Sequence, residues 1–399
     1  MVLAFVLTAL LLSGALAYWW QTRVSKQLQD AFSQAQAAQK EGKLEAAEKA
    51  CSQAAGHANK LWFRRSPYLA AAYFHLAHAR FQQEKYGEAE QSAKTAFQHV
   101  QRLGGASPVT TSLICLMAQI WKKLDKDLSA NSFFGIALKL LRAQEGSQSR
   151  RVGIALHEFG VTLDRIGLPE KAIPVFEECI PIFEIQLGKD HQDVSAAFLN
   201  LGKSQSRIGH FADAEQSYRR ALAIRESTMG SDDPEVAQVL NNLSVNYQKQ
   251  ERYPEAQDCL RRALEIREAK LGPNHPTVAL VLNNLANVLR LQKNYDDAEV
   301  AVTRALAILE SPPHKSLPTV LDSFASLRAA QHRYPEASLI FARCMKVHES
   351  RPSWDMIAFA ETCERYADVL YKLQKETEAD AMLEQVSQLR SAREKLTKA

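Results

Sequence analysis

The stretch Ala279-Leu280-Val281-Leu282-Asn283-Asn284-Leu285-Ala286-Asn287-Val288-Leu289-Arg290 decides the fold, because its pattern recurs along the chain at a nearly fixed interval. Leu282, Leu285, Ala286 and Leu289 stand at offsets of 0, 3, 4 and 7, which places them on one stripe of an α-helix. Asn283, Asn287, Arg290 and Leu291 form a second, more polar stripe. The apolar stripe reads as a packing surface and the polar one as a recognition surface.

Working outward, Gly146, Gly188, Gly230 and Gly272 follow one another at intervals of 42, each after an amphipathic run, where a left-handed helix cap belongs. The same interval links Ala130, Ala172, Ala214, Ala256 and Ala298, and also Leu201, Leu243 and Leu285. A period of this size means a solenoid of stacked units. Within one unit, Asp233-Pro234-Glu235 supplies an N-cap with Pro in the first turn, and the helix runs to about Lys249. Gln250-Glu251-Arg252 makes the turn, and Tyr253-Pro254 opens a second helix that ends near Gly272. Gly202, Ser244 and Ala286 in the first helices, with Ala214, Ala256 and Ala298 in the second, keep the contact side chains small enough for antiparallel helices to approach to ~8–10 Å.

The pattern L-x-x-L-[GSA] followed by [FY]-x-x-A-x-x-x-[YLV]-x-x-A-L resembles the tetratricopeptide repeat, and the wording ALEIREAKLGPNHPTVALVLNNLA is similar to the kinesin light chain type of that repeat. The resemblance is strongest from Asp190 to Glu310. It implies an all-α, right-handed superhelical solenoid of antiparallel helix pairs. Fainter copies are marked by Ala46 and Ala89 upstream and by Ala337 and Ala379 downstream, the interval shortening at Ser311-Pro312-Pro313-His314, which gives about nine pairs. Three regions are expected: 1–27, a membrane anchor or signal peptide; 28–310, the main solenoid, clearest over 190–310; and 311–399, degenerate units with a solvated cap. Pro174 and Pro181 predict a kink before Gly188, and Gln205 puts a polar group on an apolar stripe.

Val2 to Trp20 carries no charge, and nineteen helical residues at ~1.5 Å each nearly match the ~30 Å hydrocarbon core of a bilayer. Tyr18, Trp19 and Trp20 follow as an interfacial belt, then Arg23 and Lys26, which places the repeats on the cytoplasmic side of a single-pass membrane protein. Ala15-Leu16-Ala17 also reads as a signal-peptide cleavage site near Ala17, and a secreted or periplasmic product stands as the alternative.

The net charge of +4 is spread without long runs of one sign, which speaks against nucleic acid as a partner. Six cysteines are scattered singly, with no pairing or zinc-ligand spacing, and read as small buried hydrophobes. No phosphate loop, metalloprotease motif or nucleophile elbow is present, so no catalytic residue, cofactor or small-molecule substrate is expected. His75 and His78 are too few for a metal site and read as ordinary helical histidines.

In tetratricopeptide arrays the first helices line a concave groove, so the resemblance implies that the polar stripes form one. Its candidate residues are Arg165, Lys203, Arg207, Asn241, Gln248, Lys249, Asn283, Asn287 and Arg290. Asn both donates and accepts and so suits an extended main chain, while the cations favour acidic segments. The expected function is a membrane-tethered scaffold for a peptide or disordered segment of a partner protein. A kinesin light chain-like cargo adaptor is the lesser alternative, since here an apolar segment stands where that family has a coiled coil.

Overall fold

The computed structural model describes residues 26–35, 37–38, 41, 43–59, 67–103, 109–124, 127–165, 167–310, 314–349 and 356–398, and among these there is helix and turn but no strand. The chain forms two compact units, Met1–Lys189 and Asp190–Ala399. The first holds α1 (residues 26–35), α2 (Leu44–Asn59), α3 (Pro67–Gln82), α4 (Tyr86–Arg102), α5 (Thr110–Leu124), α6 (Asp127–Glu145), α7 (Arg150–Arg165) and α8 (Pro169–Leu187). The second holds α9 (Gln192–Arg207), α10 (Phe211–Met229), α11 (Pro234–Lys249), α12 (Tyr253–Leu271), α13 (Pro276–Leu291), α14 (Tyr295–Glu310), α15 (Leu317–Ala330), α16 (Tyr334–Glu349), α17 (Met356–Lys372) and α18 (Glu376–Lys398). Consecutive odd and even helices from α3 onward pack as pairs, and each pair packs on its neighbour within the unit. No described helix is long and apolar enough to cross a membrane, and the apolar segment 2–20 lies outside the described residues.

The small-residue rule holds and gains detail. Ala89, Ala172, Ala214, Ala256, Ala298, Ala337 and Ala379 are all fully buried. In the first repeat the register is one residue later than the sequence reading: Ala46 is exposed, and Ala47, at the full 42-residue interval before Ala89, is the buried alanine. On the first helices, glycine appears where the facing side chain is aromatic. A Cβ on Gly160 would lie 2.7 Å from the ring of Phe176, and one on Gly202 2.9 Å from that of Tyr218 and 3.1 Å from the carbonyl of Ala214. Ser244 and Ala286 stand at the equivalent place where the second helix carries Leu260 and Val302.

Helix ends follow the same period. His191, Asp233 and His275 each cap a first helix by accepting the N–H two residues on, at 3.1, 2.8 and 3.3 Å, and His314 accepts that of Ser316 at 3.1 Å. Histidine in this role lies outside the usual set of capping residues; Asp233-Pro234 and His275-Pro276 mark their helix starts in the sequence through the proline, whereas His191 and His314 carry no such signal. After the second helices, Gly188, Gly230 and Gly272 have φ of 93, 90 and 86° with ψ of 152, 157 and 156°. The expected cap was the left-handed helical conformation; the observed one has extended ψ, a region open essentially to glycine alone. Left-handed φ recurs at the turn inside the pairs, borne by Gly167 and Gly209 but also by Glu84, Glu251, Lys293, His332 and Gln374.

Within each unit, polar links tie several pairs to the next. The glutamate that follows a marker alanine accepts a hydrogen bond from the first helix of the next pair: Glu48 from Arg80 Nε at 3.1 Å, Glu90 from Trp121 Nε1 at 3.1 Å, Glu215 from the Tyr247 hydroxyl at 3.0 Å, and Glu299 from Arg328 Nη2 at 2.6 Å. Arg225 is buried, donates from Nη1 to the carbonyl of Glu235 at 2.7 Å, and so pins α10 to the start of α11; Arg267 does the same to Thr277 at 2.9 Å. Burial lowers the proton affinity of both guanidinium groups.

The irregular places resolve as follows. Pro174 and Pro181 both lie inside α8, which continues through them with each proline at the surface. Gln205 is buried, and its Oε1 accepts from Ser217 Oγ at 2.8 Å, so the polar intruder is satisfied. Leu306 and Leu309 of α14 share one apolar cluster with Leu317, Val320 and Leu321 of α15, so packing continues across residues 311–313. Cys51, Cys179, Cys344 and Cys363 are buried free thiols. Burial pushes the Cys51 thiol up to about 11 and that of Cys344 up to about 12.

Candidate functional site

The first helices α9, α11, α13, α15 and α17 lie side by side in the second unit, and the polar stripes expected to face outward do so in part. Lys203, Arg207 and Lys249 are exposed, whereas Asn241, Gln248, Asn287 and Arg290 are half-buried. Asn283 is buried, and its Oδ1 has no hydrogen-bond partner. Arg165 is half-buried at the end of α7, in the other unit.

Neighbouring first helices are joined by rungs across this face. Asn284 Nδ2 donates to Asn241 Oδ1 at 2.8 Å, and Arg365 holds Asp322 through two bonds of 3.0 and 3.1 Å; both rungs link residues 43 apart. Asn287 Nδ2 donates to Ser323 Oγ at 3.0 Å. In the first unit the same 43-residue relation brings Phe32 of α1 against His75 of α3, ring centroids 5.6 Å apart. The column of amides is therefore engaged in its own cross-links, with Asn241 and Asn287 each holding a neighbour. Asp322, Ser323 and Arg365 escape the sequence reading because the shortened interval at Ser311 shifts their register by three residues.

Arg290 differs from the other candidate cations of the face. Its guanidinium is half-buried within the electrostatic reach of Arg365, Asp322, Tyr295 and Tyr253, and its Nε is buried without a partner. Burial lowers its proton affinity, Arg365 adds repulsion, and Asp322 acts the other way but is already held by Arg365. A half-buried cation with one nitrogen shut off from water and without a partner is partly desolvated, and an arriving carboxylate relieves that cost. Further along the face, Arg365, Asp368 and Lys372 edge a recess of about 230 Å³ floored by Ala329, Phe341 and Val369. Among the described residues, no three His, Cys, Asp or Glu side chains stand close enough to hold a metal ion.

The family model of the tetratricopeptide repeat matches residues 170–227 and 235–311. Those segments are tetratricopeptide repeats. No curated protein sequence matches the chain. Among solved structures, RapI in its apo form is 13% identical, with 93% of this chain and 98% of that one covered, at a TM-score of 0.61. A Rap protein complexed with competence and sporulation factor is 13% identical, with 94% and 99% covered, at 0.54. The kinesin light chain-like repeats of a Podosopora anserina protein are 17% identical, with 51% and 97% covered, at 0.47. The likeness to the two Rap structures establishes an all-α tetratricopeptide-type helical repeat fold. The tetratricopeptide match covers α8 to α14 almost continuously, so Lys203, Asn241, Lys249, Asn283 and Arg290 all lie on matched repeats.

Proposed function

We propose that the chain is a non-enzymatic, membrane-tethered interaction scaffold whose second unit binds an acidic peptide or disordered segment of a partner protein along the first helices α9, α11 and α13. The observation that carries this reading is Arg290, a half-buried guanidinium with its Nε unpartnered, while Asp322, the carboxylate that acts on it, is engaged by Arg365. Lys203 and Lys249 extend positive charge along the same face. Exposed pairs contribute only ~0.2–1 kcal/mol each, so affinity arises from several contacts around one desolvated anchor. A Rap protein of the same fold is found in complex with competence and sporulation factor, which supports reading this face as an interaction surface. The tether is supported by the uncharged segment 2–20, and the kinesin light chain-like wording of the repeats by itself names no cargo.

The test is fluorescence anisotropy with labelled oligoglutamate and oligolysine peptides of equal length. Oligoglutamate is expected to bind more tightly, and Lys203→Glu, Lys249→Glu and Arg290→Glu together to weaken it by roughly tenfold or more, equivalent to ~1.4 kcal/mol. Arg290→Met, which removes the charge without burying a carboxylate, is expected to give part of that loss. Equal affinity for both peptides, with helicity intact by circular dichroism, would overturn the reading. For the tether, amino-terminal sequencing of the mature protein decides: a first residue of Tyr18 excludes it.

A further inference from the structure

The rung between α1 and α3 is built on a titratable imidazole. Phe32 meets His75 edge-on, at 5.6 Å and an interplanar angle of 71°. Phe74 lies against the same imidazole at 5.2 Å and against His78 at 6.3 Å, so His75 sits between two rings at the α1–α3 contact and His78 stands one turn on, beside Phe74. The rest of the grip on α1 is apolar: Leu28, Ala31 and Ala35 share one cluster with Ala50, Cys51 and Ala54 of α2 and with Leu69, Ala72 and Leu76 of α3.

The charged groups brought against α3 by its neighbours are engaged away from His75. Glu48 of α2 and Glu88 of α4 both pair with Arg80, at 3.1 and 3.4 Å, and His99 of α4 stacks on Tyr73 at 5.8 Å. The charge that acts on His75 is that of His78, and no described carboxylate of α1, α2, α4 or α5 offsets it.

We infer that the α1–α3 contact is an acid-sensitive latch, in which neutral His75 holds Phe32 and protonation of His75 and His78 together releases α1 from the face of α3. Burial pushes both imidazoles below the ordinary range, and His78 pushes His75 further. The opposing effect is a cation–π attraction between a charged imidazole and Phe32 or Phe74. That gain is small beside placing two like charges one helical turn apart in apolar surroundings. Because the held histidines bind protons less readily than released ones, whose pKa is ~6.5, the latch is complete above that pH and weakens as pH falls below it. Release loosens the cluster that Leu28, Ala31 and Ala35 close over α2 and α3, leaving the second unit as it was.

The test is amide hydrogen exchange on the full chain at pH 7.5 and 5.5, corrected for intrinsic rates. Protection of residues 26–35 is expected to fall severalfold, as follows when release raises the proton affinity of the imidazoles, while residues 276–291 keep theirs. His75→Gln with His78→Gln is expected to remove the pH dependence. Unchanged protection of residues 26–35 in the wild type, or an equal fall in the double variant, would overturn the latch. A measurement that needs no variant is the NMR titration of the His75 ring: its midpoint is expected to coincide with the loss of protection, and a midpoint elsewhere counts against the proposal.

Discussion

Tyr247 of one repeat donates its hydroxyl proton to Glu215 of the preceding repeat, 3.0 Å away, and the same carboxylate also accepts from Arg219 and Arg252. Arg252 in turn lies over the Tyr247 ring, 4.4 Å from its centroid. One glutamate thus fastens two helix pairs through a tyrosine that is itself core. Tyr247→Phe keeps the ring while removing two hydrogen bonds, the one donated to Glu215 and the one accepted from Arg219 Nη2 at 3.2 Å, and is expected to lower unfolding free energy by about 1–2 kcal/mol in urea titrations. Glu215→Ala, which strands three donors, is expected to cost more, ~1–3 kcal/mol.

The same fastening makes the repeats acid-labile. Hydrogen bonds from Lys85 and Arg80 hold the Glu48 carboxyl below the usual carboxylate range, and those from Arg328 do so for Glu299. For Glu215, burial acts upward, but Tyr247, Arg219 and Arg252 outweigh it. A depressed carboxylate stabilises the fold above its unfolded pKa of ~4.3, and that contribution is lost as pH falls through the lower folded value. Urea midpoints are therefore expected to drop from pH 5 to pH 3, with a shallower drop in Glu215→Gln.

Gly230 has φ 90° and ψ 157°, with nothing within 4 Å of where a Cβ would stand. Gly230→Ala is therefore a test of backbone alone, expected to cost ~1–3 kcal/mol in urea titrations. Lys293, at φ 62°, is the reverse case. Lys293→Gly relieves left-handed strain of ~1–2 kcal/mol and gives back part of it as unfolded-state entropy, so a modest rise in Tm is expected.

Gly202→Ala forces a methyl against Tyr218 and the Ala214 carbonyl. An overpacking cost of ~1–3 kcal/mol is expected. Adding Tyr218→Leu reproduces the Ser244 and Leu260 arrangement of the next repeat, and a double-mutant cycle is expected to show favourable coupling between the two changes.

The repeat, the helix limits around Asp233 to Gly272 and the buried alanines were legible because each depends on residue size and helical period. The first repeat slipped from Ala47 to Ala46 because Ala46 and Ala47 are adjacent, and only packing distinguishes which one faces the partner helix. The candidate face was less legible. Helical spacing places Asn241 and Asn287 on it, yet whether an amide awaits a ligand or holds Asn284 or Ser323 depends on residues 43 and 36 positions away. Arg290 stood out in the sequence for its charge, whereas its distinction is a buried Nε without a partner beside the charges of Arg365 and Asp322, groups 75 and 32 positions away that leave no local signature.

The 43-residue rung occupies one geometric place but is built from an aromatic ring and an imidazole, from two amides, and from a carboxylate and a guanidinium. Each junction is thereby keyed to its own pair of repeats. Deleting α15 and α16 would remove Asp322 and leave Arg365 facing the α13 side with no carboxylate opposite. The repeats share a blueprint without being interchangeable parts, and any graft that moves one must carry the matching half of its neighbour.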